Sequence, residues 1–444
     1  THSEVTGTYL GPEIEKRIIE PLELDDTYYP ADSDMPGVPA RTYWVPAVMA
    51  SICPGWSEYT EPIDGTGYNP SQDFGSGAMV STLEDLKTWS GAYARGDLIS
   101  DDLHRQQLTW GGHNNFGAYG LGMMFIVGGI GHDGEIFVGY ESAMFFLPYR
   151  KATIIVLLNG SQKGPAFSAA ALYNDLACGL FSALPLSGGS DFDGSAKSNI
   201  ALFRPSSGLW AVRDLGRAYF GRNFDLPAGG DYDGDGYADP AVFRPSTGLW
   251  AIRGITRTYF GTWGDIPVPA DYDGDGRIDP AVFRDRFGLW AVKGLSRFYF
   301  GTQCDRPVPA DYDGDGAADP AFFRPSSIMV SGEGLWAIRG RSRFYFGAGG
   351  DIPAAGSYQW YPKSSRKVPF RPQAAIFRPY SGLWAIRGFS RLYFGGILDR
   401  PVPADYDGNG LDDIGIFRDT TSLWALRGIS RVYFGTSGDI PVTR

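Results

Sequence analysis

Four stretches of the chain repeat one spacing of oxygen-bearing side chains. In Asp231-Tyr232-Asp233-Gly234-Asp235-Gly236-Tyr237-Ala238-Asp239, carboxylates stand at positions 1, 3, 5 and 9. Together with the backbone carbonyl of Tyr237 at position 7 they can surround one hard cation, and Gly236 permits the sharp turn that gathers them. The set returns as Asp271, Asp273, Asp275 and Asp279 with the carbonyl of Arg277, and as Asp311, Asp313, Asp315 and Asp319 with that of Ala317. It returns again as Asp405, Asp407, Asn409 and Asp413 with that of Leu411. Calcium is the natural ion, one per loop and four in all, acting as a structural clip between carboxylates that otherwise repel. A related loop, Asp191, Asp193, Ser195 and Asn199, carries less charge and is expected to bind weakly, and the equivalent at Ser357 has lost the pattern. An EF-hand is excluded, because position 12 is Val242 rather than a bidentate Glu and a strand-like run follows.

The elements that carry these loops repeat with them. From Asp191 the sequence returns to itself every 40 residues, at Asp231, Asp271 and Asp311, then at Ser357 and Asp405 after insertions of six and eight residues. Each of the six modules contains Gly-Leu-Trp-Ala or a near copy, placing Trp210, Trp250, Trp290, Trp336, Trp384 and Trp424 in register. Within residues 231–270 the strand-length apolar runs are Ala241 to Arg244, Leu249 to Arg253, Thr258 to Gly261 and Ile266 to Ala270. Six modules of four short strands, ending a whole number of units later at Arg444, predict an all-β propeller with six blades. The repeated Trp and Tyr read as blade-to-blade packing, and Arg204, Arg244, Arg284, Arg324, Arg378 and Arg418 as anchors for neighbouring loops. The insertions Ser326 to Glu333 and Tyr358 to Gln373 add Trp360, Tyr361, Phe370, Lys363, Arg366, Lys367 and Arg371 to one side, a candidate surface for a glycan or protein partner.

Residues 1–185 follow a different pattern, and the domain boundary is placed at 185/186. Helices are expected over Glu13 to Pro21, Leu83 to Ala94, Asp101 to Leu108 and Ala166 to Leu184. Strands are expected over Tyr119 to Val127, Gly134 to Val138, Ser142 to Leu147 and Ala152 to Leu158, forming an antiparallel sheet with the last helix on it. The domain is α+β. Of the cysteines, Cys53 and Cys178 share this region and are candidates to pair, whereas three Cys cannot build a disulfide framework.

Composition narrows the functional classes. The 444 residues are 43% hydrophobic and 20% charged, with 61 Gly and 31 Pro, which excludes disordered, collagenous and helical-bundle chains. The net charge of -11 is concentrated in residues 1–185, where 9 Lys and Arg face 22 Asp and Glu; no basic face is available to nucleic acid. No apolar run approaches the length of a membrane span.

The calcium loops resemble the DxDGDG repeats of the FG-GAP and VCBS class over residues 191–444. That resemblance implies a secreted or cell-surface protein in calcium-rich medium, with any signal sequence outside this chain. In the first region, "IEKRIIEPLELDDTYYP", "GSGAMVSTLEDLKTWS", "YGLGMMF", "GIGHDGEIFVGYESAMFFLP" and "ATIIVLLNGS" resemble the serine β-lactamase and D,D-peptidase family, nearest its class C and esterase branch. The resemblance implies that His132-Asp133-Gly134 stands where that family has its Lys-Thr-Gly box, a strand edge lining the acyl pocket. The family's Ser-x-x-Lys nucleophile and Tyr-x-Asn precede the matched words and are not found there. The sole Ser-x-x-Lys, Ser364 to Lys367, sits in a module insertion before Val368-Pro369 and reads as accidental. Tyr140-Glu141-Ser142 follows the His-Asp-Gly strand and is discounted as the second motif.

Three arrangements fit. An upstream polypeptide bearing Ser-x-x-Lys completes the domain, the sequence is truncated, or the domain is a remnant kept for structure. The corresponding functions are the propeller-bearing portion of a secreted serine hydrolase, inactive as an isolated chain, or a non-catalytic calcium-stabilised binding protein.

Overall fold

The computed structural model describes residues 9–30, 40–44, 61–69, 77–109, 113–114, 117–126, 129–136, 139–147, 152–160, 168–181, 188–325, 333–358 and 371–443. Cys53, Ser364 to Lys367, Trp360, Tyr361 and Phe370 lie outside the described residues, as does the side chain of Cys178. The chain divides into two compact units, Thr1–Ala177 and Cys178–Arg444.

In the first unit a helical run opens as α1 (Leu10–Ile14), passes through a π segment (Glu15–Ile19) and ends as α2 (Glu20–Leu22). Helix α3 (Leu83–Arg95) starts where the Thr82 hydroxyl accepts from the Asp85 amide, and stops at Gly96 in the left-handed region at φ +75°. Asp85 is itself held, because its carboxylate accepts from the Thr27 hydroxyl at 2.7 Å and the Asp26 amide at 3.0 Å. A bridge between Tyr28 and Val80 completes that tie between two sequence-distant segments. Ser100 caps α4 (Asp101–Gln107) in the same way.

The sheet of this unit has six antiparallel strands in sequence order: β3 (His113–Asn114), β4 (Gly117–Tyr119), β5 (Met124–Ile126), β6 (Gly129–Glu135), β7 (Tyr140–Leu147) and β8 (Ala152–Asn159). A two-stranded ribbon, β1 (Tyr43–Trp44) and β2 (Ile63–Asp64), meets the end of β8 through a parallel bridge from Tyr43 to Gly160 and a bond from the Asn159 side chain to the Arg41 carbonyl at 2.7 Å. Two expectations are corrected. The run Tyr119 to Val127 is a hairpin rather than one strand, because Gly120 donates to the Met123 carbonyl at 2.8 Å and Gly122 turns the chain at φ +67°. Strand β6 begins at Gly129 rather than Gly134. Its glycines imitate a turn in sequence, yet Gly131 is required in the strand, since a Cβ there would lie 1.9 Å from the Met144 carbonyl. Helix α5 (Ala169–Phe181) lies on the sheet through Tyr173, whose ring stacks on Phe145 at 4.1 Å and whose hydroxyl donates to the Ile126 carbonyl at 2.8 Å.

The second unit consists of six four-stranded antiparallel sheets. The second sheet is representative, with strands β12 (Leu226–Pro227), β13 (Ala241–Arg244), β14 (Leu249–Ile252) and β15 (Thr256–Tyr259) in that order. The two inner strands are buried along almost their whole length, which is why Ala-Val-Phe and Leu-Trp-Ala-Ile read as continuous apolar runs rather than alternating ones. The third strand starts at Thr256 instead of Thr258, after a three-residue turn centred on Gly254 at φ +79°.

The fourth run of each module is also corrected. Residues Ile266–Pro267 (β16) pair with Ala281–Arg284 (β17) of the following module, not with their own. Each sheet therefore takes its edge strand from the preceding module, an edge being where the Pro residues of Ile-Pro-Val-Pro cost no ladder hydrogen bond. The first sheet takes its edge strand from the end of the chain: β32 (Ile440–Val442) pairs with β9 (Ala201–Arg204). Between successive sheets, Val242, Leu249 and Ala251 pack on Phe203 and Trp210, and Val282 and Ala291 pack on Phe243 and Trp250. Phe434 of the sixth sheet packs on Leu202, Leu209 and Ala211 of the first.

Candidate functional site

Strand β6 delivers His132-Asp133-Gly134 to an open edge. Its first half pairs on both sides, Gly129 to Gly131 with β5 and Ile130 onward with β7. From His132 to Glu135 its pairing among the described residues is with β7 alone, in the register His132 opposite Met144 and Gly134 opposite Ser142. Among the described residues this half-strand has no ladder partner on the β5 side, which leaves backbone donors and acceptors of an edge kind there. The His132 imidazole is 40% exposed there. Its Nδ1–H donates to the Asp133 carbonyl, which leaves Nε2 as acceptor for the Tyr119 hydroxyl at 2.7 Å. The Tyr119 and His132 rings meet edge to face at 5.6 Å. Behind them the Tyr93 hydroxyl of α3 donates to the Gly122 carbonyl, and burial, reinforced by Tyr119, raises its pKa well above the ordinary phenol range. Tyr119 was not singled out in sequence; its position at the end of the hairpin strand becomes informative only once β4 is folded beside β6.

Tyr140-Glu141-Ser142 is structural. Glu141 is buried and its carboxylate accepts from the Ala169 amide at 2.9 Å, capping α5, while the Tyr140 hydroxyl donates to the Ala40 carbonyl at 2.6 Å. Burial raises the Glu141 pKa against the lowering effect of the Ala169 amide.

In the second unit the Asp loops keep one frame in all six modules. The position 9 side chain accepts from the backbone amide of position 2, as in Asp239 to Tyr232 at 3.0 Å and Asp413 to Tyr406 at 2.8 Å. Asn199 and Gln373 perform the same task at 2.6 and 2.8 Å in the modules that lack the full acidic set. The Asp231 carboxylate accepts from Gly234 and Gly236, both in the left-handed region at φ +77° and +89°. The loops are also linked to one another. The Ile278 amide donates to the Asp231 carbonyl, Ala318 to Asp271, Asp412 to Ser357, and Ser198 of the first module to Asp405 of the last. The equivalent donor to Asp311 would be residue 372, and Pro372 has no N–H.

Carboxylate oxygens of Asp231, Asp233 and Asp239 lie within 4.8 Å of one another, as do those of Asp271, Asp273 and Asp279, and of Asp405, Asp407 and Asp413. Among the described residues no ion pair reaches these three clusters. Burial, with the other loop carboxylates adding to it, pushes the pKa of Asp239 and of Asp279 up to about 6. Hard, crowded oxygen donors of this kind fit calcium, which would remove the mutual repulsion. The Asp311 loop differs, because Asp311, Asp313 and Asp315 form its close set, while Asp319 is turned to the Arg341 guanidinium at 2.6 Å.

The repeated arginines do bind loops, through partners the sequence reading missed. Arg244 grips Asp225 with two bonds of 2.7 and 2.8 Å, and Arg284 with Asp265, Arg324 with Asp305, Arg378 with Asp351 and Arg418 with Asp399 repeat the pair. The aspartates have no exposed side-chain surface. Their signal was available as the Asp that precedes Leu-Pro, Ile-Pro or Arg-Pro once per module. Each repeated Trp donates its indole N–H to the carbonyl of a Phe ten residues on, such as Trp250 to Phe260 at 3.0 Å.

Comparison with known proteins places the first unit. The Beta-lactamase family model matches residues 3–178, so this part of the chain is β-lactamase-like. Among solved structures, a D-stereospecific amidohydrolase from Streptomyces sp. is 27% identical over 36% of this chain and 46% of its own, with a TM-score of 0.31. The D-amino acid amidase from Ochrobactrum anthropi SV3 is 19% identical over 39% of this chain and 51% of its own, also with a TM-score of 0.31. The chain thus spans about half the length of the solved structures it matches. No described helix is long and apolar enough to cross a membrane.

Proposed function

We propose that residues 3–178 are the carboxyl-terminal part of a serine hydrolase domain that transfers an acyl group from an amide or ester, its Ser-x-x-Lys segment supplied by polypeptide outside these 444 residues. The observation that carries this reading is the His132–Glu135 half-strand, paired with β7 on one side and, among the described residues, open on the other, with His132 at its start bonded to Tyr119. An extended substrate laid along that edge receives backbone hydrogen bonds that fix its carbonyl for attack. His132, accepting from Tyr119, supports a proton position at the pocket rim.

The six sheets would form a six-bladed propeller closed by β32, with calcium in its acidic loops, suited to a secreted or surface protein. The exchange of edge strands, the packing of Phe434 on the first sheet and the bond from Ser198 to Asp405 support closure. The same features favour a second reading, a calcium-stabilised binding module for glycan or protein with the hydrolase-like unit as a docking domain. Labelling native material with a fluorescent penicillin and a fluorophosphonate tests the first reading against the second, since only a completed hydrolase is covalently marked.

A further inference from the structure

Position 341 breaks a rule that the other modules keep. After each Trp-Ala strand the tight turn carries an apolar side chain that is substantially exposed: Leu215, Ile255, Leu295, Phe389 and Ile429. In the fourth module that place is Arg341, and its guanidinium reaches into the acidic loop of its own module. Nε donates to Asp319 at 2.6 Å, Nη2 to Asp315 at 3.4 Å, and Nη1 pairs with Asp313. Three of the four carboxylates at metal-ligand positions are thereby engaged by one fixed cation. The close oxygen set of this loop is correspondingly positions 1, 3 and 5, where the other three loops bring together positions 1, 3 and 9.

We infer that Arg341 is a built-in replacement for calcium in the Asp311 loop, so that the chain binds three ions rather than four. The inference rests on the calcium reading of the other loops. A guanidinium with several donors in a planar fork satisfies carboxylates that would otherwise repel, and it does so without regard to the calcium level. A calcium ion would have to displace it from Asp319 and add a second positive charge beside it. The module with the arginine also adjoins the point where Pro372 removes the loop-to-loop hydrogen bond, so a permanent cation holds the loop where the ring of loops is interrupted.

The test is the number of calcium ions bound at equilibrium dialysis, counted by atomic emission, in the wild type and in Arg341→Ile, which restores the apolar residue found in the other modules. Melting of both proteins in chelator is measured alongside. Three ions in the wild type and four in Arg341→Ile support the inference, together with a lower melting temperature for the variant in chelator that calcium restores. Four ions in both proteins, or no gain in the variant, overturn it while leaving the calcium reading intact. No ions in either protein overturn the calcium reading itself, and the inference falls with it.

Discussion

Arg204 and Asp439, 235 residues apart, form the ion pair that Arg244 makes with Asp225 only 19 residues away. The bonds are 2.7 and 2.9 Å in the distant pair, and Asp439 also accepts from the Thr436 amide at 2.7 Å. The device that ties each module to the next is thus reused to fasten the two ends of the second unit.

Removing one partner should be asymmetric. Arg204 retains 30% of its side-chain exposure and can turn to water, whereas Asp439 has none. Arg204→Leu, which strands a buried carboxylate, should cost about 3–5 kcal/mol. Asp439→Asn, which keeps the acceptor for Thr436, should cost about 1–2 kcal/mol. Denaturant unfolding followed by Trp fluorescence measures both, and equal losses would refute the asymmetry.

The indole bonds give a second prediction. Trp250→Phe leaves the carbonyl of the half-buried Phe260, which packs against the Trp250 cluster, without its side-chain donor, and should cost about 1–3 kcal/mol before any packing loss. Tyr259→Ala, at a residue 75% exposed, should stay within about 0.5 kcal/mol on the same denaturation curves.

Glu141 yields a pH dependence. Its folded pKa is raised above the ordinary 4.5, so its contribution favours folding below that value and is lost as pH rises through the folded value. At neutral pH the buried charge is a liability that Glu141→Gln removes while still accepting from Ala169. Melting temperatures should show Glu141→Gln above wild type at pH 7.5, with the gain shrinking toward pH 4.5. Glu141→Ala, which uncaps α5, should lose about 0.5–2 kcal/mol.

Calcium removal should lower the stability of the second unit specifically. With free calcium at about 100 times Kd, each occupied site adds about 2.7 kcal/mol, so chelator should reduce the melting temperature and added calcium should restore it. Asp279→Asn should diminish that response, because Asp279 both frames its loop and belongs to the close oxygen set.

Much of this was legible in sequence because repetition amplifies weak local signals. The inner strands, the Trp register and the acidic loops recur six or four times with fixed spacing. What was not legible depends on exchange between modules. Asp225 lies at the end of one repeat and Arg244 in the next, so a reading confined to one module sees an unexplained arginine. Arg341 was invisible for the opposite reason, since its meaning lies in departing from Leu, Ile or Phe at one turn. In the first unit, Gly129 and Gly131 were left out of the expected strand because what demands them, the Tyr173 hydroxyl of α5 beside Gly129 and the β7 backbone beside Gly131, is a tertiary fact. Tyr119 required a hairpin that its apolar run concealed.

The proposed hydrolase function is tested most directly by intact mass spectrometry of the native complex after treatment with the penicillin and fluorophosphonate probes. The account predicts an acyl or phosphonyl adduct on a serine in polypeptide beyond these 444 residues, held with them, and lost from the complex when His132→Ala and Tyr119→Phe are introduced together. A native species near 48.4 kDa that takes up neither probe would contradict it, leaving the six-sheet unit as the functional part of the protein.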